Sequence, residues 1–226
     1  MFQRKLQLPP VGTETFFLWG PRQTGKTTLL KLAYPDAYWI DLLKADEYRR
    51  YLTNPEYLRQ ELSWREDRPF VVIDEVQKVP ALLDEVHGLH ENRGINFALC
   101  GSSARKVKKG GVNLLGGRAV SYELFGLVTS EIGDDLDLVH LINYGYLPRI
   151  YLASRPKRII RSYVADYLKQ EIAAEGLVRN LPVFSRFLDN AALSDAELVN
   201  FSTIARDCGV SGQTVKGYFE ILVDTL

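Results

Sequence analysis

At 226 residues the chain can bury one good core, alone or with a small appended domain. Its 46% hydrophobic and 25% charged residues are those of a soluble globular protein, not of a disordered or fibrous one. Lys and Arg (28) balance Asp and Glu (28), so no overall field draws the chain to a polyanion and any nucleic-acid contact must be local. No apolar run is long enough to span a bilayer. Met1-Phe2-Gln3-Arg4-Lys5 lacks the apolar core of a secretory signal. Two cysteines, Cys100 and Cys208, lie in apolar patterns and read as small core residues, which fits a cytoplasmic protein.

Residues 1–14 read as a lead-in, broken by Pro9-Pro10 and Gly12. The apolar run Thr15-Phe16-Phe17-Leu18-Trp19 then reads as a strand. It is followed by Gly20-Pro21-Arg22-Gln23-Thr24-Gly25-Lys26-Thr27 and by a helix-compatible segment from Thr28 to Ala33. Strand, glycine-rich turn and Gly-Lys-Thr at a helix start make a P-loop in its required setting, rather than a turn that only begins a helix. Gly20 and Gly25 let the backbone wrap a phosphate without a Cβ in the way. The backbone N–H groups of residues 20–28 and the helix N-terminus attract an anion. Lys26 is expected to reach the β- and γ-phosphates, and the Thr27 hydroxyl to hold Mg2+.

Ala37–Leu42 suits a second strand, and helical spacing follows between Leu42 and Trp64, with Asn54-Pro55 at a helix start. Pro69-Phe70-Val71-Val72-Ile73-Asp74-Glu75 reads as a buried parallel strand running into two acids. Ligands sit at such strand ends in open α/β sheets. Asp74 there can bind Mg2+, and Glu75 can orient or deprotonate an attacking water. The plainer reading is a strand that stops at a surface acid pair. Gln77 and Lys78 could face the nucleotide, but read better as the solvated start of the helix Val79–Asn92, and His87 and His90 as exposed helix residues.

Ile95–Cys100 is another buried-strand run, ending in Gly101-Ser102-Ser103. Ser102 or Ser103 can sense the γ-phosphate; either can equally cap a helix. Gly101–Val120 carries Arg105, Lys106, Lys108, Lys109 and Arg118 and no acid. Arg118, between Gly117 and the strand-like run Ala119–Leu124, is the arginine-finger candidate, while the other four charges suit a solvated loop. After Phe125 only helices are expected: Asp135–Asn143, Pro156–Ala174 with Arg155, Lys157, Arg158 and Arg161 at its start, and Leu181–Leu193. Ser202–Phe219 reads as a helix-turn-helix, with Ala205 at the crossing, Gly209 in the turn, Ser211 as cap and Val215 and Phe219 inward. Its outward face, with Gln213, Lys216 and Glu220, is poor in positive charge for a DNA reader. The chain stops where a wing would follow, so a fragment of a longer protein is expected.

Together, Gly20–Thr28, Val72-Ile73-Asp74-Glu75-Val76-Gln77, Gly101-Ser102-Ser103-Ala104, Leu115-Gly116-Gly117-Arg118-Ala119, Gly145-Tyr146-Leu147-Pro148 and the Val210–Tyr218 segment resemble the prokaryotic AAA-like P-loop ATPases of the additional-strand, catalytic-glutamate (ASCE) class whose members carry a C-terminal domain of unknown function. The resemblance implies an ASCE-type sheet, ATP or ADP with Mg2+, Glu75 as acid/base and Ser102 or Ser103 as sensor. The expected fold is α/β: a three-layer P-loop NTPase with a parallel sheet over 1–125, an all-α lid over 126–198 and the start of a winged helix-turn-helix over 199–226. The expected site is Lys26, Glu75, Ser102 and Arg118 for catalysis, Gly20, Pro21, Arg22, Gln23, Thr24, Gly25, Lys26, Thr27 and Thr28 for nucleotide, and Thr27 with Asp74 for metal. The expected activity is ATP hydrolysis that switches the attached helices. The alternative is a nucleotide-gated module that contacts DNA or protein through the helix-turn-helix and hydrolyses little. A P-loop kinase is disfavoured for want of a legible acceptor pocket. If Arg118 acts in trans, a homo-oligomer is implied.

Overall fold

The computed structural model describes residues 2–65, 67, 69–102, 115–167, 172 and 178–225. Ser103, Arg105, Lys106, Lys108 and Lys109, expected in a sensor turn and basic loop, lie outside the described residues. The chain divides into two compact units, 1–151 and 152–226; the segment 126–198 expected above as a lid runs across that boundary.

In the first unit, β1 (Thr15–Trp19), β2 (Tyr38–Asp41), β3 (Val71–Asp74), β4 (Phe97–Gly101) and β5 (Ala119–Glu123) form one sheet in the order β2-β3-β4-β1-β5. Every pairing is parallel. Parallel strands need crossovers, so both faces are covered and the central strands must be apolar on both sides. Strand alternation sorts them: Phe17, Trp19, Ile40, Val71, Ile73, Phe97 and Leu99 enter one core, and Phe16, Leu18, Val72, Ala98 and Cys100 the other. The first core is closed by α2 (Ala45–Thr53), α3 (Tyr57–Ser63) and α4 (Leu82–Arg93), through Tyr51, Leu58, Leu62, Leu82, Leu83, Val86 and Leu89. The second is closed by α1 (Lys26–Ala33) through Leu30, with Tyr34 after it and Leu6 and Leu8 of the lead-in. The result is a three-layer α/β unit, as the sequence suggests. Cys100 is buried under Asp74 in that second core, and burial keeps its thiol protonated.

Three departures have tertiary causes. His90 is no exposed helix residue: its Nδ1 lies 3.2 Å from Thr15 Oγ1 and 3.1 Å from the Ile95 carbonyl. Lys78 is not solvated either, since its ammonium donates to the Leu42 carbonyl (2.6 Å) and lies over the Tyr48 ring. The lead-in is ordered along the sheet: Tyr34 donates to the Pro9 carbonyl (2.7 Å) and Tyr122 to Glu14 (2.8 Å).

The unit ends in the short helices α5 (Thr129–Ile132), α6 (Leu138–Tyr144) and α7 (Pro148–Tyr151). The second unit is helical: α8 (Pro156–Tyr167), α9 (Leu181–Leu193), α10 (Phe201–Cys208) and α11 (Gly212–Thr225). Its core joins Val183, Phe184, Phe187, Ile204, Ala205, Cys208, Val215, Tyr218 and Ile221. Gly209, at φ 70°, ends α10 in the left-handed region, Val210 N–H donates to the Ala205 carbonyl (2.9 Å) and Ser211 Oγ caps α11 at Thr214 N–H (3.1 Å). That is the helix-turn-helix pair. Among the described residues no helix is long and apolar enough to cross a membrane.

Candidate functional site

The site lies where β1, β3 and β4 end. Gly20 follows β1, Asp74 closes β3 and Ser102 follows β4, which runs between the other two. Register brings the three ends level, since Trp19 pairs with Gly101 and Cys100 with Asp74.

The loop from Gly20 to Gly25 turns on left-handed backbone at Gln23 (φ 65°) and Gly25 (φ 94°). Gly20 has no alternative: a Cβ there would overlap the Leu124 carbonyl. The Thr24 hydroxyl donates to the Pro21 carbonyl at 2.9 Å and stiffens the turn. Lys26, buried, folds its ammonium onto the Gly20 (2.7 Å) and Pro21 (2.9 Å) carbonyls. Two of its three N–H bonds are used in this way. Thr28 is exposed on the first turn of α1.

Thr27 leaves the loop to donate from Oγ1 to Asp74 Oδ2 at 2.7 Å. Asp74 is buried, and its other oxygen accepts from Glu75 N–H at 3.0 Å. Glu75 stands in the left-handed region at φ 60°. A non-glycine residue held there costs on the order of 1 kcal/mol or more, the kind of strain that gathers at functional sites. Burial pushes the Glu75 carboxyl above its ordinary value and the neighbouring Asp74 adds to the rise, against Arg22, Lys26 and the Gln77 amide.

Gln77 is the residue the sequence misplaces. It is 2% exposed, in a 3-10 turn (Val76–Lys78), and its Nε2 donates to Glu75 Oε2 (2.6 Å) and Ser102 Oγ (3.0 Å). Its Oε1 packs against Gly101 and has no hydrogen-bond partner. Only the spacing from Glu75 hinted at this, because a turn two residues past a strand end can face back across it. The chain thus brings together residues 20–27, Asp74, Glu75, Gln77 and Ser102.

Arg118 stands apart. It precedes β5, whose first residue, Ala119, pairs with Thr15 at the start of β1. About 13 Å of strand, at ~3.3 Å per residue, separates that end from Trp19, the residue before the loop. The Arg118 guanidinium meets Glu91 at 2.5 Å in a surface pair. Within one chain it does not reach the loop.

A model described as "AAA domain" matches residues 13–133, more than half of the chain. One described as "Domain of unknown function (DUF8612)" matches residues 135–226. Among curated proteins, the uncharacterized protein Rv2008c of Mycobacterium tuberculosis is 26% identical over 233 residues, covering 99% of this chain and 50% of its own length. The uncharacterized protein Mb2031c of Mycobacterium bovis matches with the same identity and coverage. The chain therefore spans about half the length of the curated relatives it matches. Among solved structures, the Walker-type ATPase PABY2304 of Pyrococcus abyssi superposes with a TM-score of 0.53 at 13% identity, over 93% of this chain and 84% of that one, a likeness of fold.

Proposed function

The chain belongs to the AAA domain family, and on that basis we propose that it is a Mg2+-dependent ATPase whose nucleotide state switches the helical segments after the sheet. The observation that carries this reading is the 2.7 Å Thr27–Asp74 bond, which ties the loop to the strand end bearing Glu75.

The donor set fits Mg2+: a hydroxyl and a carboxylate oxygen, both hard ligands, stand side by side at the start of α1 and the end of β3. Thr27 and Asp74 would hold the ion, directly or through water, and its charge would neutralise the β- and γ-phosphate oxygens. Backbone N–H groups of the loop between Arg22 and Thr28 and the Lys26 ammonium bind the triphosphate. Glu75 accepts a proton from water as its oxygen bonds to the γ-phosphorus and the bond to the β-phosphate oxygen breaks, releasing ADP and phosphate. Ser102, at the end of β4, contacts the γ-phosphate or that water. Gln77 fixes Glu75 relative to Ser102.

Arg118 enters this scheme only at the nucleotide of a neighbouring copy. A second reading, favoured by the helix-turn-helix of the second unit and the exposed Arg155, Lys157, Arg158 and Arg161, is a module that contacts DNA or protein under nucleotide control. One comparison separates the two. Under the ATPase reading, the wild-type chain releases phosphate from ATP with Mg2+ and Lys26→Ala does not. Absence of release by the wild type, with salt-dependent DNA binding that survives Lys26→Ala, would instead establish the second reading.

A further inference from the structure

Arg4 belongs to the lead-in, yet its side chain is 9% exposed. The segment alternates: Phe2, Arg4, Leu6 and Leu8 are partly buried, while Gln3, Lys5 and Gln7 are exposed. An extended chain sends alternate side chains to one side, so Arg4 enters the unit with three apolar residues.

There its guanidinium spans three places far apart in sequence. One amino group donates to the Thr24 carbonyl of the phosphate loop. The other donates to the carbonyls of Phe125 (2.7 Å) and Gly126 (3.1 Å), where the chain leaves β5. Nε lies 3.1 Å from Glu131 Oε1 in α5. Glu131 also accepts from Lys5 N–H (2.6 Å) and Val128 N–H (3.1 Å). Burial acts to raise its pKa, but those two N–H groups and Arg4 outweigh it and hold the carboxyl below its ordinary value, so the pair stays ionic.

The Thr24 contact has a consequence at the loop. The Thr24 C=O and the Gly25 N–H belong to one planar trans peptide and point opposite ways. Holding that carbonyl toward Arg4 fixes the Gly25 N–H on the opposite side of the peptide.

We propose that Arg4 is a positioning residue: it sets the Thr24–Gly25 peptide for phosphate binding and couples occupancy of the loop to residues 125–132. This rests on the reading of the loop as a nucleotide site. A planar fork with five donors serves several carbonyls and a carboxylate at once, which an ammonium on a flexible stem does not.

The test uses the full chain as wild type, Arg4→Gln and Arg4→Lys, each checked for native circular dichroism. Affinity for a fluorescent ATP analogue, kcat and KM for ATP, and hydrogen exchange over 125–132 with and without ADP are measured. Both variants are expected to bind the analogue about tenfold more weakly and to raise KM more than they lower kcat. ADP is expected to slow exchange over 125–132 in the wild type and not in the variants. Arg4→Lys keeps the charge and the stem, so it remains informative if Arg4→Gln fails to fold. Wild-type affinity, or wild-type ADP protection of 125–132, in folded Arg4→Lys would overturn the proposal alone. A wild-type chain that binds no nucleotide would overturn the nucleotide-site reading and this proposal with it.

Discussion

Glu75 is held between opposing influences, and the sign of each gives a pH dependence. Burial first, then Asp74, raise its carboxyl above the ordinary value, while the bond from Gln77 acts downward. A base must be ionised to take a proton, so the acid limb of kcat/KM should lie above the usual glutamate range of about 4.3. Gln77→Leu removes a donor that favours the carboxylate and should move that limb further up in pH. A limb that stays in place in Gln77→Leu would show that Gln77 does not act through Glu75. Of the side chains around this carboxyl, Lys26, Thr27 and Asp74 were legible in the sequence, because the P-loop and the acid-terminated strand are local patterns. Gln77 was not. Its burial depends on β4 passing alongside with a glycine at position 101, where a Cβ would overlap the Gln77 amide and the Trp19 ring. Arg4 had a faint signal in the alternation from Phe2 to Leu8, hidden by the prolines that follow.

The sheet's elements were readable because a buried parallel strand is apolar on both faces, and Phe16–Trp19, Val71–Ile73 and Phe97–Cys100 each show it. Strand order was not contained in any one of them. β4 lies between β3 and β1, and that order, with the register of the pairs, puts Ser102 beside Gln77. Helix positions were also legible, with Leu181–Leu193 matching the expected segment end to end. Their partners were less so. On α8, where Ile159, Ile160, Tyr163, Val164 and Tyr167 recur at helical spacing, Tyr167 is buried while Val164 is 42% exposed. On α6, Leu138, Val139 and Ile142 are exposed although the segment has helical periodicity. Periodicity reports which face is apolar; what covers that face is decided by other parts of the chain.

The molecule as a whole joins an AAA sheet unit to a helical unit, and the curated relatives it matches are about twice as long. Its balanced charge gives no long-range pull on a polyanion, so the activity argued above rests on the strand ends where residues 20–27, Asp74, Glu75, Gln77 and Ser102 meet. Arg118 lies toward the opposite ends of the strands. If it serves the nucleotide of a neighbouring copy, specific ATPase activity should fall on dilution, and Arg118→Ala should be inactive at every concentration; activity independent of both would remove Arg118 from the reaction. The central claim is tested most directly by nucleotide binding and phosphate release measured side by side on the wild type and Glu75→Gln with saturating Mg2+ and ATP. The account predicts that Glu75→Gln binds ATP as the wild type does while phosphate release falls roughly 10²–10⁴-fold; release at the wild-type rate would contradict it.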